Sequence, residues 1–508
     1  MAGLRAPVPG TDPAVTGPVA VIDVGSNSIR LVVFSGLNRS ATTMFNEKVL
    51  CGLGRGLAGS GNLHPQGVAM ARQNLLRFTR LAKAMGARRI DMLATAAVRE
   101  AADGSSFVAE IEEMCGQTVC VLDGAEEARL SALGLLSGFP VARGVMGDLG
   151  GGSLELVELA DGAPGRSTTL RLGPFALMER FAGDSGAMRA EIDAQLSASG
   201  WVADGGSLAP VDTFYPIGGA WRSLARIHMQ QSGYPLHVVH GYPMRPAQVD
   251  DLGRVISHLG RRSLARIEGI TKSRLETLPV AAEVLRRVLR ALRCRNVVFS
   301  ALGLREGHHF DLLSATEQAR DPLLEVATDI ASRTARFDML GEDLLAWTDC
   351  LFTDESADEQ RLRLAACLLS DVAWREHPDY RPIQALMQIL HFPFSGTGHS
   401  ERVFLATAVH TRYGGAAEGG DVAPYLALLK PETARQARIL GLALRLAYRV
   451  SGATGTVLRR SALAYDVAAK TLRLRLPDDG SAPGGEAVLR RFDALAQALG
   501  VERALMEG

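Results

Sequence analysis

Short apolar runs alternating with helix-length amphipathic stretches set the plan of roughly the first 310 residues. The runs predict strands over residues 19–24, 29–34, 44–50, 90–94 and 119–122, and helical periodicity predicts helices over 65–85 and 107–115. The pattern then restarts. It gives strands over 145–148, 153–159 and 168–172, a helix from Pro174, a strand over 213–217 and a helix running through His228. A helix over 278–293 and a buried strand over 296–300 complete it. Two halves with the same strand–loop–strand opening imply an internally duplicated α/β fold. After residue 315 the periodicity is helical, over 322–340, 359–374, 382–390, 401–412 and 432–450. Residues 462–476 turn strand-like, a turn rich in Pro, Gly and Asp occupies 477–485, and a last helix starts at Glu486. These breaks divide the chain into a disordered leader (1–18), α/β domains over 19–135 and 136–314, a helical domain (315–455) and a small C-terminal α/β subdomain (456–508).

Each half opens on the same motif. The first is Asp23-Val24-Gly25-Ser26-Asn27-Ser28, the second Asp148-Leu149-Gly150-Gly151-Gly152-Ser153, each between two apolar runs. Glycines let a backbone approach phosphate oxygens closely, and Ser26, Asn27, Ser28 and Ser153 add side-chain donors. Asp23 and Asp148, at the strand ends, are positioned to hold Mg2+ directly or through water. One copy reads as an ordinary hairpin turn. Two copies about a domain length apart favour facing loops that grip a chain of phosphates.

Other residues add chemistry to that grip. Asp123-Gly124-Ala125-Glu126 reads as a helix start with a capping box. Glu127 is left at a strand-to-helix junction, on the edge that carries both loops, as either a solvated residue or the base that activates a water. Glu155 shares a strand face with Ser153, a place that suits a carboxylate beside metal or water. Arg99, just past the strand over 90–94, lies on the ligand edge of an α/β sheet and is either a phosphate clamp or a surface arginine. Arg274, Arg305 and Glu306 are weaker candidates of the same kind. Gly218-Gly219 closes a strand and opens a helix whose N-terminus can bind an anion.

Composition narrows the partners. The 55 basic and 55 acidic residues balance, so a polyanion must be bound by a local cluster, and nothing points to nucleic acid. The basic residues are nearly all Arg, with lysines only at Lys48, Lys83, Lys272, Lys430 and Lys470; genomic base composition explains that bias more simply than function does. None of the six cysteines forms a CxxC pair, which implies free thiols in the cytoplasm. No run reaches the roughly 18 apolar residues that would span a membrane. The leader lacks the basic start and apolar core of a signal peptide.

The segments 23–28, 95–99, 126–129, 148–155, 217–219 and 304–307 occur in an order that resembles the exopolyphosphatase and guanosine pentaphosphate phosphohydrolase (Ppx/GppA) family. The family belongs to the actin, sugar-kinase and Hsp70 superfamily. The resemblance implies ribonuclease-H-like halves that close over phosphates and processive, Mg2+-dependent hydrolysis of the terminal phosphoanhydride of inorganic polyphosphate. It implies Glu127 as general base, with Asp148 and Glu155 placing metal and water beside the Asp23 already read as a metal candidate. It assigns phosphate binding to Asn27, Arg99, Gly150, Gly151, Gly152 and Ser153, to which the reading of the residues adds Ser26, Ser28, Gly219 and Arg274. A homodimer, a monovalent cation such as K+ and a (p)ppGpp ligand belong to the same set of expectations. Guanosine pentaphosphate is the alternative substrate, and a non-catalytic sensor of alarmone or polyphosphate is the alternative of another class.

The helical region resembles the family's HD-like module, with Ser370-Asp371 where a His-Asp or His-Glu pair is expected. His377, His399 and His410 lack the spacing of a metal set, which implies a binding and dimerisation element without catalysis. On its helix over 432–450, Arg435, Arg438, Arg445 and Arg449 form one stripe beside an apolar face. The stripe is a solvated edge, a track for polyphosphate or a site for a phosphorylated nucleotide.

Overall fold

The computed structural model of the 508-residue chain describes residues 17–181, 183–201, 211–259, 261–264, 266, 274–338, 340–477 and 484–507. The expected leader lies outside them except for Gly17 and Pro18. The chain divides into two compact units, Met1–Arg320 and Asp321–Gly508.

In the first unit, β1 (Val19–Val24), β2 (Ser28–Phe34), β3 (Thr43–Leu50), β4 (Arg89–Ala94) and β5 (Val119–Val121) form a sheet of order β3-β2-β1-β4-β5. β1, β2 and β3 make an antiparallel meander, and β4 and β5 run parallel to β1. Val19, Ala20, Val21 and Ile22 are fully buried, as a continuous apolar run requires of a strand covered on both faces. Asp23 interrupts the run where β1 ends. The second sheet repeats the plan with β6 (Gly144–Leu149), β7 (Leu154–Ala160), β8 (Ala163–Leu170), β9 (Thr213–Ile217) and β11 (Asn296–Phe299) in the order β8-β7-β6-β9-β11. A short strand, β10 (Tyr242–Met244), adds antiparallel to β11 at the edge. Three residues are too few for alternation to reveal, so β10 was invisible in the sequence. The helix expected from Pro174 stops at Phe181, and a second one starts at Ser185 under an Asp184 cap whose carboxylate accepts from the amides of Gly186 and Ala187.

The helices after the last parallel strand of each half, Gly124–Gly138 and Leu304–Asp311, pack directly on one another. Their crossing excludes side chains. A Cβ on Gly307 would meet the Leu130 carbonyl oxygen at 1.7 Å, and one on Gly134 would meet that of Gly303 at 2.1 Å. The cores of the two halves flank this seam, built on Phe78 and Phe107 in one and on Phe214, Trp221 and Phe299 in the other. Trp221 also satisfies its indole N–H on the Ala281 carbonyl at 2.8 Å.

The second unit is helical up to Arg460 and then forms β12 (Ala462–Asp466), β13 (Thr471–Arg475) and β14 (Arg503–Glu507). β13 pairs antiparallel with β12 and parallel with β14. The helix Glu486–Leu499 between β13 and β14 packs on Pro431–Ser451. The helix expected over 322–340 ends at Thr334, and Arg336 turns inward to hold both oxygens of Asp371 at 3.1 Å. The helix expected over 359–374 ends at Leu368 and tightens to a 3-10 turn over Leu369–Asp371. Asp371 also accepts from Arg412 at 2.8 Å, and Arg336 stacks on Trp374 at 3.7 Å. Ser370-Asp371 therefore centres a buried guanidinium–aromatic network.

Candidate active site

The two Gly/Ser loops close with the same hydrogen bond. Gly25 N–H donates to the Ser28 carbonyl, and Gly150 N–H to the Ser153 carbonyl, both at 3.0 Å. The amides of Ser26, Asn27, Gly151 and Gly152 have no acceptor among the described residues, which leaves them to meet an anion. The first loop is fixed from outside, since the Asn27 carbonyl accepts from Cys51 and Gly52 and the Ser26 carbonyl from Gly54. The second is buttressed by the start of Pro174–Phe181: Gly173 N–H donates to the Gly152 carbonyl and Phe175 N–H to that of Gly151. A Cβ on Gly173 would sit 2.2 Å from the Gly152 carbonyl carbon, so that buttress needs glycine. Both loops line one cleft.

The same register step follows each loop, with unlike side chains. Asp23 on β1 lies opposite Arg30 on β2, and Asp148 on β6 lies opposite Glu155 on β7. Asp148 and Glu155 line the cleft with Glu127 and Asp23. Glu155 is 2% exposed, and its Oε1 has no hydrogen-bond partner among the described residues. Burial, then the charges of Glu127 and Asp148, hold its carboxyl well above the usual range. Glu127 is pushed up to about 7, chiefly by burial; Arg99 opposes the shift, while Asp148 and Asp23 add to it. Asp148 also rises through burial, against the hydroxyl of Ser131, which donates to its Oδ2 at 2.7 Å. Ser131 and Glu127 lie one turn apart on Gly124–Gly138, so a single helix carries one carboxylate and steadies another.

Cations fill the rest of the lining: Arg30, Lys48, Arg222, Arg274 and Arg305. Burial, then repulsion by Arg305, lowers the Arg222 pKa, and that guanidinium is anchored on the carbonyls of Ala301 and Gly218. Arg274 lies over Gly219, where a Cβ would come within 1.9 Å of its Nη2. Sequence reading passed over Arg30, Lys48 and Ser131 and ranked Arg305 low. Arg30 was hidden inside an apolar run. Its position two residues after Ser28, on the same strand face, was the available signal.

Most of the anticipated residues converge: Ser26, Asn27, Ser28, Gly150, Gly151, Gly152, Ser153, Gly219 and Arg274 line the cleft with the four carboxylates. Others have different engagements. Arg99, anticipated as a phosphate clamp, donates through Nη1 to Glu127 Oε2 at 3.0 Å and to the Leu122 carbonyl at 2.7 Å. It lies in the last turn of the short helix Ala96–Glu100, and its side chain reaches the start of the Glu127 helix. Asp23, anticipated at a metal, accepts from Arg305 Nη1 at 2.8 Å and ties the two halves together. The Asp123 carboxylate caps Glu126 N–H at 2.8 Å, but the Glu126 side chain does not return the bond, because Arg129 engages both its oxygens. The arginine stripe, in the second unit, is not uniform. Arg435 and Arg438 meet Glu432 and Glu418, whereas Arg445 and Arg449 have no acid partner among the described residues.

Two matched sheets bring paired Gly/Ser loops, four carboxylates and five cations to one cleft. Residues 32–316, more than half of the chain, match the Ppx/GppA phosphatase family, and residues 323–506 match the exopolyphosphatase C-terminal family. The chain belongs to the Ppx/GppA phosphatase family. Exopolyphosphatase 1 of Mycobacterium leprae is 27% identical over 303 residues, 57% of this chain and 87% of its own length. Among solved structures, the Ppx/GppA enzyme of Aquifex aeolicus aligns with a TM-score of 0.50 at 22% identity, over 57% of this chain and 98% of that one. An exopolyphosphatase from Cytophaga hutchinsonii aligns with a TM-score of 0.53 at 21% identity, over 57% and 96%. These two likenesses establish the fold.

Proposed function

We propose that the chain is an exopolyphosphatase that hydrolyses the terminal phosphoanhydride of inorganic polyphosphate and releases orthophosphate. The observation that carries this reading is the lining of the cleft, where Glu127, Asp148 and Glu155, five cations and loop amides with no acceptor among the described residues converge. The family match and the name of the Mycobacterium leprae relative support it. Arg99 holds Glu127 Oε2, which leaves Oε1 to accept a proton from water. The water oxygen bonds to the terminal phosphorus as the bridging P–O bond breaks. Loop amides and arginines stabilise the charge that builds on the phosphoryl and bridging oxygens.

Mg2+ fits the pair Asp148 and Glu155. Glu155 Oε1 is a buried, unpartnered acceptor, and a second carboxylate lies directly across the strands. Among the described residues no group of three His, Cys, Asp or Glu could hold a metal alone, so substrate oxygens and water would complete the shell. When bound, the ion would neutralise phosphoryl charge and orient the water. The six cysteines are all unpaired, and no described helix is long and apolar enough to cross a membrane; both support the cytoplasmic placement we propose.

The test is orthophosphate release from long-chain polyphosphate, tripolyphosphate and guanosine pentaphosphate in parallel, with and without Mg2+. We expect polyphosphate to be cleaved only with the metal. Release from guanosine pentaphosphate alone would overturn the substrate, and release unaffected by chelation would overturn the metal.

A further inference from the structure

Following the sheet register outward from each loop gives two rows with opposite character. In the second half Asp148 is followed by Glu155 on β7 and Thr169 on β8. In the first half Asp23 is followed by Arg30 on β2 and Lys48 on β3. A polyanion cannot lie along two adjacent carboxylates but can lie along two adjacent cations. We infer that the substrate chain leaves the cleft over the outer strands of the first sheet, along Arg30 and Lys48, and that Lys48 is its outermost contact and sets the preference for long chains.

The row is unfavourable without a ligand. Like charges directly opposite on neighbouring strands destabilise a sheet, and neither Arg30 nor Lys48 has an acid partner among the described residues. Arg30 is instead oriented by Asn46, whose Oδ1 accepts from its Nε at 2.8 Å. Lys48 as a residue is exposed on the edge strand, yet it lines the cleft. There desolvation, then Arg274, Arg30, Arg222 and Arg305, push its ammonium down to about 8. Two strand spacings, about 10 Å, separate Asp23 from Lys48, room for several phosphate groups behind the one being cleaved. The unpaired loop amides and the acids act on the terminal phosphate. The row acts on those that follow it, so its contribution grows with chain length.

This inference rests on the polyphosphatase reading, and the experiment separates the two. Lys48→Met and Lys48→Arg, in the full chain, are assayed on long-chain polyphosphate and on tripolyphosphate. Lys48→Met should lower kcat/KM on long chains about ten-fold relative to tripolyphosphate, as the loss of one charged contact would, and Lys48→Arg should restore the ratio. The long-chain advantage of the wild type should also decline as pH rises through about 8, and that of Lys48→Arg should not. An equal fall on both substrates, or none, overturns the path. A wild type that cleaves neither polyphosphate refutes the activity, and the path is then decided by binding of long-chain polyphosphate to Glu127→Gln and to Glu127→Gln/Lys48→Met. Weaker binding by the double variant supports it, and equal binding overturns it.

Discussion

Glu127 stands between opposed influences. Burial and the charges of Asp148 and Asp23 favour its protonated form, while Arg99 favours the carboxylate. A base near 7 is well matched to proton transfer at neutral pH. Glu127→Gln should reduce phosphate release by about 10²–10⁴-fold with the thermal midpoint retained; near-normal turnover would remove the residue from the chemistry. Because Arg99 holds the pKa down, Arg99→Leu should move the acid limb of kcat/KM to higher pH. An unmoved limb would mean that another group titrates. Glu155 extends the argument to stability. A carboxyl raised by folding contributes stability that is whole below its unfolded value near 4.5 and lost as pH rises through its folded value, about 7 for Glu127. Glu155→Gln removes a buried carboxyl whose ionisation folding disfavours, so in the absence of metal the variant should be increasingly the more stable of the two as pH rises. Denaturant melts of the two proteins would check this, and a less stable variant would contradict the burial argument.

At the scale of elements, close approaches decide what each glycine is for. Gly307 faces a backbone carbonyl across the helix crossing, which cannot yield, so Gly307→Ala should cost about 3 kcal/mol. Gly219 faces the tip of Arg274, which can move. Gly219→Ala should leave stability nearly unchanged and raise KM as the guanidinium is displaced. Thermal melts and steady-state kinetics on the pair distinguish the two roles. Strands were the most legible elements: β1 and β9 keep their expected ends, because apolar runs bounded by Gly or Asp leave little room for error. β14 was missed. Its residues Arg503 to Glu507 are mostly exposed and carry no alternation, so only pairing with β13 makes them a strand. The loops and acids of the cleft were legible because both halves repeat them. The cations were not, because Arg30 and Lys48 meet only through register and Arg222 and Arg305 only through tertiary packing.

For the whole molecule, all the described residues that line the cleft belong to the unit ending at Arg320. Residues 1–320 alone should therefore fold and cleave tripolyphosphate. An inactive but folded fragment would show that the chemistry needs groups beyond residue 320. The duplication was visible in the sequence, whereas its inequality needed the register. A linear phosphate polymer has no arrow, since its two ends are alike. A protein made of two identical halves would share that ambiguity and could seat the polymer either way round. Arg30 opposite Asp23, and Glu155 opposite Asp148, remove it at one position of the repeat. If the substrate is the polyphosphate proposed above, the arrow is written in the protein, and successive cuts would run from one end of the polymer without its turning round.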